Sequence, residues 1–384
     1  MINALPYLIL VSLYGGLAVL YHQVTEEYKR TYINIICIVV FIFFFGFRGF
    51  VFYDWSNYYP LFNSLPDFRT LFTQNVLRWP WEPGFTILAV ACKSVFPDYQ
   101  FFELICCFIN TFLLITFFKK YVNNIPLALM MFLCMRGISL STDLMRNSIS
   151  IFLFINALKF ISDRKPLHYF AACGVAFLFH SSALAYFPMY FILNRRYNKW
   201  ILLTIFILAN MIYLLHISIL KDTISLFANF FAPSTKLWID AYLTMDVNVV
   251  SSFSIGYVER LLTGILLFCY MSRLYDVRKN NCIFVNSLLL YLFIFLFLSE
   301  FRTISVRCST LFCYAYWIVW IDLIKCFYYR NNRLLFISFI GIYCILRTYG
   351  DTNSAMANYY NVLLQNKTYN ERLLNFRQHF NDKE

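Results

Sequence analysis

A titratable ring interrupts the apolar run FLFHSSALAYFP at residues 177–188, where His180 and two serines stand among aliphatic and aromatic neighbours. With an unperturbed pKa near ~6.5, such a ring can take or give a proton close to neutral pH. A second interrupted stretch, RGISLSTDLMRNSIS at 136–150, carries Arg136, Asp143 and Arg146. Gly137, Ser139, Ser141 and Thr142 are read as breaking one helix, Asp143 as capping the next, and Arg146 as falling in its first turn. Orphan backbone N–H groups, a positive helix end and a guanidinium then converge on one place, which favours an anion such as phosphate. The competing structural reading is that Asp143 and Arg146 pair and cap the helix, and that His180 is a hydrogen-bonded core residue.

A third candidate is RCSTLFCYAYWIVW, in which Arg307, Thr310, Tyr314 and Trp317 share one helical face by i, i+3 and i+7 spacing. Arginine followed by aromatics suits a phosphate beside sugar rings; the alternative is an arginine that snorkels above a packed aromatic helix. Glu300 is either a further acid–base candidate or the salt-bridge partner of Arg302 or Arg307.

The elements that must hold these groups follow from composition. The chain has 384 residues, 60% of them hydrophobic and 14% charged, which is too apolar for a soluble domain with a polar exterior. Runs such as 6–21, 102–118 and 284–298 approach the roughly 20 apolar residues that a helix needs to cross ~30 Å of hydrocarbon. The fold expected is all-α and polytopic, one membrane domain over 1–384 with about twelve transmembrane helices, some of them broken or re-entrant. The first run lacks a basic flank and a small-residue cleavage site, so it is expected to be retained. Twelve cysteines lie almost entirely inside the apolar runs with no C-x-x-C pair, and five scattered histidines form no H-E-x-x-H pattern. Neither a disulfide framework nor a metal site is expected, and no cofactor.

The net charge of +12 is a topology signal and not a nucleic-acid footprint, because the basic residues fall in short clusters between apolar runs. A rival topology makes 167–193 one span and 83–97 another and leaves Lys119-Lys120 and Arg164-Lys165 outside. Placing Lys29-Arg30, Lys119-Lys120, Arg164-Lys165, Arg195-Arg196 with Lys199, Arg273 with Arg278-Lys279, and Lys325 with Arg330 and Arg333 on the cytoplasmic side is preferred and requires two special segments. Residues 83–97 must re-enter or lie at the interface, and 167–193 must be a bent pair of short helices turning near His180. Segments 51–98, 219–253 and 349–384 then face outward. So do Arg48, Asp54, Arg136, Arg146, His180, Glu259, Arg260, Glu300, Arg302 and Arg307. Each ionised group at mid-membrane costs roughly 2.5–3.5 kcal/mol, so these groups are expected to line a wet cavity or to pair.

With these motifs in hand, the chain resembles the EpsG branch of the Wzy-type polysaccharide polymerases. The resemblance rests on GFRGFVFYDWSNYY (46–59), in which Asp54 follows Arg48 by six residues and Tyr58 follows Asp54 by four. It continues through WEPGF (81–85), LMRNSIS (144–150), FHSSAL (179–184) and RCSTLF, and covers residues 30–315. The family often has Gly-Thr where this chain has Phe52-Tyr53, and Arg-Gln where it has Arg146-Asn147.

The resemblance implies a glycosyltransferase in the bacterial cytoplasmic membrane, with its active site on the periplasmic or outer face. It would move a growing O-antigen, capsule or exopolysaccharide chain from undecaprenyl diphosphate to the terminal sugar of another lipid-linked repeat unit. Implied partners are those lipid-linked oligosaccharides, membrane lipid, and a flippase and chain-length regulator of the same pathway. On this reading Arg48, Arg136, Arg146, Arg302 and Arg307, with Tyr58 and Tyr314, bind diphosphate and glycan. A diphosphate leaves readily, so one base suffices, His180 first and Asp54 or Glu300 next. The rivals are a flippase, disfavoured by the lack of an internal repeat, another membrane transferase such as an acyltransferase, and a ligase that shares the same donor.

Overall fold

The computed structural model describes residues 2–71, 81–217, 254–365 and 367–381, and within them every regular element is a helix. A lone antiparallel bridge joins Arg48 to Asn361. Six helices are long and apolar enough to cross a membrane: Leu5–Gln23, Glu27–Gly46, Tyr99–Tyr121, Ile125–Thr142, Ile255–Asp276 and Arg330–Thr352. The bent pair Arg302–Thr310 and Tyr314–Cys326 makes a seventh if it is one span. Four shorter apolar helices accompany them: Pro83–Val95, Pro166–Phe179, Lys199–Leu214 and Cys282–Phe297. The all-α, polytopic expectation holds, while six or seven helices, against about twelve expected, meet the length requirement. The outward loop expected at 219–253 lies outside the described residues.

The chain forms two compact units, Met1–Tyr190 with Leu334–Glu384, and Phe191–Arg333. In the first unit, the Asp98 carboxylate accepts the N–H groups of Gln100 at 2.6 Å and Phe101 at 3.2 Å and so starts Tyr99–Tyr121. Lys119 and Lys120 close that helix, where the dipole favours cations. Asn124 caps Leu127 N at 3.0 Å and donates to Ala18 O at 2.9 Å, which ties the next span to Leu5–Gln23. Tyr99–Tyr121 packs between Glu27–Gly46 and Met145–Ser162. Ile125–Thr142 is interrupted at 133–137, where Arg136 takes the left-handed φ of 72°. That kink takes in Gly137, and the helix then ends at Thr142 as expected, with Arg146 in the first turn of Met145–Ser162.

Pro166–Phe179 ends at His180, whose extended backbone (φ −157°) turns the chain into a short 3-10 helix, Ser181–Tyr186. The return leg runs back along the helix, because Tyr169 Oη donates to Tyr186 O at 2.6 Å and Phe170 stacks on Phe187. The bent pair expected near His180 is this hairpin. Pro83–Val95, with 13 residues, reaches about 20 Å and falls short of a crossing.

In the second unit, Cys282–Phe297 packs against both Ile255–Asp276 and Tyr314–Cys326, and the fully buried Asp322 pairs with Arg278 and Lys325. The expectation that Arg307, Thr310, Tyr314 and Trp317 share one face is corrected by a 65° bend between Thr310 and Tyr314. Ser309 and Thr310 both donate to Val306 O, at 3.2 and 2.6 Å, and hydroxyls that bond back onto a helix bend it.

Candidate functional site

The first unit gathers Asp54, Tyr58, Glu82, Asp143, Arg146 and His180. Their supports begin with Arg48, buried to 2% exposure just past the end of Glu27–Gly46. Its guanidinium donates to Phe45 O at 2.7 Å, Glu103 Oε1 at 3.0 Å and Thr142 O at 3.3 Å. One cation thus fastens three segments at the entrance to the 49–54 loop. A pair this buried stands or falls together, since removal of one partner strands the other charge.

Within that loop Gly49 is obligatory: a Cβ there would lie 1.9 Å from the Tyr360 ring. Phe52 has φ 64°, a strained conformation for a non-glycine residue that costs of order 1–3 kcal/mol. This is the position at which the resembled family often has glycine. Asp143 holds the strained turn, its Oδ1 accepting the N–H groups of Tyr53 at 2.9 Å and Asp54 at 3.1 Å. Asp143 was expected to cap its own helix; instead Leu144 is the N-cap of Met145–Ser162 and the carboxylate reaches across to the start of Trp55–Ser64. Burial, followed by the charge of Asp54, pushes the Asp143 carboxyl up to about 7, against the lowering effect of the two N–H bonds.

Arg146 pairs with a partner that sequence reasoning did not single out. Its Nη1 lies 2.6 Å from Glu82 Oε2, and its Nε donates to Tyr58 Oη at 2.9 Å. The other oxygen of Glu82 accepts Ser181 N at 3.1 Å, which links the arginine to the His180 turn. Partial burial opposes the charge on Glu82, but the backbone N–H bonds and the guanidinium outweigh it and hold the carboxyl below its usual range. Gly84 lets this helix start close in, since a Cβ would stand 2.9 Å from Leu178 O. The available signal was Glu before Pro at a helix start, inside a motif already noted for other reasons.

His180 Nδ1 accepts Ser182 N at 3.1 Å and lies 2.7 Å from Ser182 Oγ, which in turn donates to Asn147 Oδ1 at 3.1 Å. An accepting Nδ1 puts the proton of the neutral ring on Nε2. Beside this turn an apolar groove of about 370 Å³ runs between Phe108, Phe112, Leu153 and Phe179.

The other expected residues lie elsewhere. Arg136 sits at the kink of Ile125–Thr142, while Glu300, Arg302, Arg307 and Tyr314 belong to the second unit. Tyr314 is fully buried, its hydroxyl 2.6 Å from Ser287 Oγ. Among the described residues of that unit, Arg302 and Arg307 have no carboxylate within ion-pairing distance, and no three potential metal ligands cluster among the described residues of the chain.

The EpsG family profile matches residues 31–363. The chain belongs to the EpsG family. The match spans every motif named above and runs on into the carboxy-terminal segment that bonds to the 49–52 loop. EpsG membership makes this chain a bacterial membrane protein of polysaccharide biosynthesis with a polymerase role. No curated protein and no solved structure matches it.

Proposed function

We propose that this EpsG protein is a glycosyltransferase that extends a polysaccharide on the outer face of the cytoplasmic membrane. The donor is a glycan on undecaprenyl diphosphate and the acceptor is the terminal sugar of another lipid-linked repeat. The observation that carries the reading is the Arg146 guanidinium, held by Glu82 and Tyr58 near an apolar groove, an arrangement that suits a phosphate headgroup joined to a prenyl chain.

In the reaction, an acceptor hydroxyl loses its proton to a carboxylate, its oxygen bonds to the anomeric carbon, and the bond from that carbon to the diphosphate breaks. Asp54 is the better base, because Nδ1 of His180 already accepts a hydrogen bond. Asp143, whose Oδ1 accepts the N–H groups of Tyr53 and Asp54, fixes the backbone that presents the Asp54 carboxylate. Arg146, anchored on Glu82 and Tyr58, orients the headgroup and is the arginine of this cluster that meets the charge developing on the leaving diphosphate.

The test is the pool of lipid-linked glycans in a deletion strain. Accumulation of single repeats is expected. Full-length polymer retained on its carrier would make the protein a ligase, and an unchanged polymer would overturn the proposal.

A further inference from the structure

The match to the family stops at residue 363, yet a helix beyond it, Tyr369–Asn381, packs on the candidate site. The sequence marks its start with Thr368 and Glu371: Thr368 N donates to Glu371 Oε2 at 3.0 Å, and Glu371 N to Thr368 Oγ1 at 3.4 Å. Residues 369, 372, 373 and 376 then fall on one face. Tyr369 stacks on Tyr59 with ring centroids 4.4 Å apart, and Phe376 meets Trp55 edge-on at 5.7 Å. Arg372, 5% exposed, donates through Nε to Phe50 O at 3.0 Å and lies over the Tyr360 ring. Tyr360 Oη accepts Phe50 N at 3.0 Å, so the peptide groups on both sides of Phe50 are held from the carboxy-terminal segment. Among the described residues Arg372 has no carboxylate partner, and its charge is met by carbonyl oxygens and an aromatic face.

We infer that the carboxy-terminal helix is a strap and that Arg372 is a positioning residue, which sets the direction of Asp54 by gripping the carbonyl of Phe50 four residues before it. The inference rests on the proposed role of Asp54. The strap touches no reacting atom in this scheme. It fixes the strained turn at Phe52 from one side while Asp143 fixes it from the other.

The experiment uses the full chain with the exposed Cys269 and the partly exposed Cys308 replaced by serine, plus Tyr53→Cys as a labelling site. Arg372→Leu is expected to lower turnover of lipid-linked repeats roughly 10- to 100-fold, the loss of one charged hydrogen bond, while KM stays within about twofold. Arg372→Lys, which keeps a donor within reach of Phe50 O, should recover part of that loss. Labelling of Tyr53→Cys by an impermeant maleimide should speed up in the leucine variant and return toward the parent with lysine. Parental turnover together with parental labelling in Arg372→Leu would overturn the inference. If the parent forms no polymer, the proposed function fails and labelling alone decides the strap. Should Arg372→Leu not reach the membrane, Phe376→Ala, which loosens the same helix, is read in the same two ways.

Discussion

The two units use arginine differently. In the first, Arg48 is locked to Glu103 and Arg146 to Glu82, while Arg372 is wrapped by carbonyls. In the second, Arg260 donates to Gly256 O and Tyr291 Oη and stacks 3.7 Å from the Phe295 centroid, whereas Arg302 and Arg307 meet no carboxylate among the described residues of that unit. Charge in the first unit has been spent on geometry. Two arginines of the second carry no such commitment to a carboxylate among its described residues, although the sequence motifs alone would rank Arg146 first.

The sharpest way to break this contrast is at the proton. Asp54→Asn should lower turnover roughly 10²- to 10⁴-fold with normal membrane abundance. His180→Asn, whose Oδ1 can replace Nδ1 as the acceptor for Ser182 N, should cost less than about tenfold. In vitro polymerisation by both variants decides between them, and a larger loss at His180 would return the base role to the histidine.

Arg146→Lys comes next. Lysine keeps the charge but cannot hold Glu82 and Tyr58 at once, so turnover should drop roughly 10- to 100-fold. If Arg146 served only to bind the diphosphate and not to orient it, KM for the donor should rise and turnover at saturation should hold. The mirror experiment is Arg302→Gln and Arg307→Gln, each expected to leave turnover nearly unchanged because no carboxylate among the described residues of their unit loses a partner; a rise of about tenfold in donor KM would give them the phosphate contacts that their sequence context suggested. Parental KM in both would remove the second unit from diphosphate binding.

The smallest effect concerns pH. Folded Asp143 keeps its proton up to about 7, while in the unfolded chain it leaves near the ordinary value of 3.8. Protonation therefore favours the folded state: the contribution is complete below about pH 4 and is lost as pH rises through about 7. Asp143→Asn keeps the acceptor for Tyr53 and Asp54 but not the titration. Melting curves in detergent should show the parent losing stability between about pH 4 and about pH 7 relative to the variant. A constant difference across that window would show that Asp143 does not carry the shift.

What the sequence made legible was local. HSS within an apolar run and Pro188 after it predicted a bent pair at His180, because a broken pattern and a missing N–H leave few other conformations. The pairing of Asp143 with the N–H groups of Tyr53 and Asp54 crosses about ninety residues and leaves no periodic trace. Glu103 was hidden inside FELICC, where one carboxylate in an apolar helix has meaning only once Arg48 is beside it. The tail after 349 read as a polar end, and its Thr368-x-x-Glu371 signature passed unnoticed among its balanced charges. The bend at Thr310 was invisible to helical spacing, which assumes a straight axis.

The bonds from Tyr360 and Arg372 to Phe50 join residues more than three hundred positions apart. At about 5–20 residues per second of synthesis, the loop that bears Asp54 is made some 15–60 s before the residues that hold it. Through that interval the amino-terminal spans can enter the membrane and pack, but the Phe52 turn lacks its carboxy-terminal clamp. On the proposed role of Asp54, a chain cut short by a premature stop would thus insert normally and remain inert, because the ribosome delivers last the residues that hold that loop.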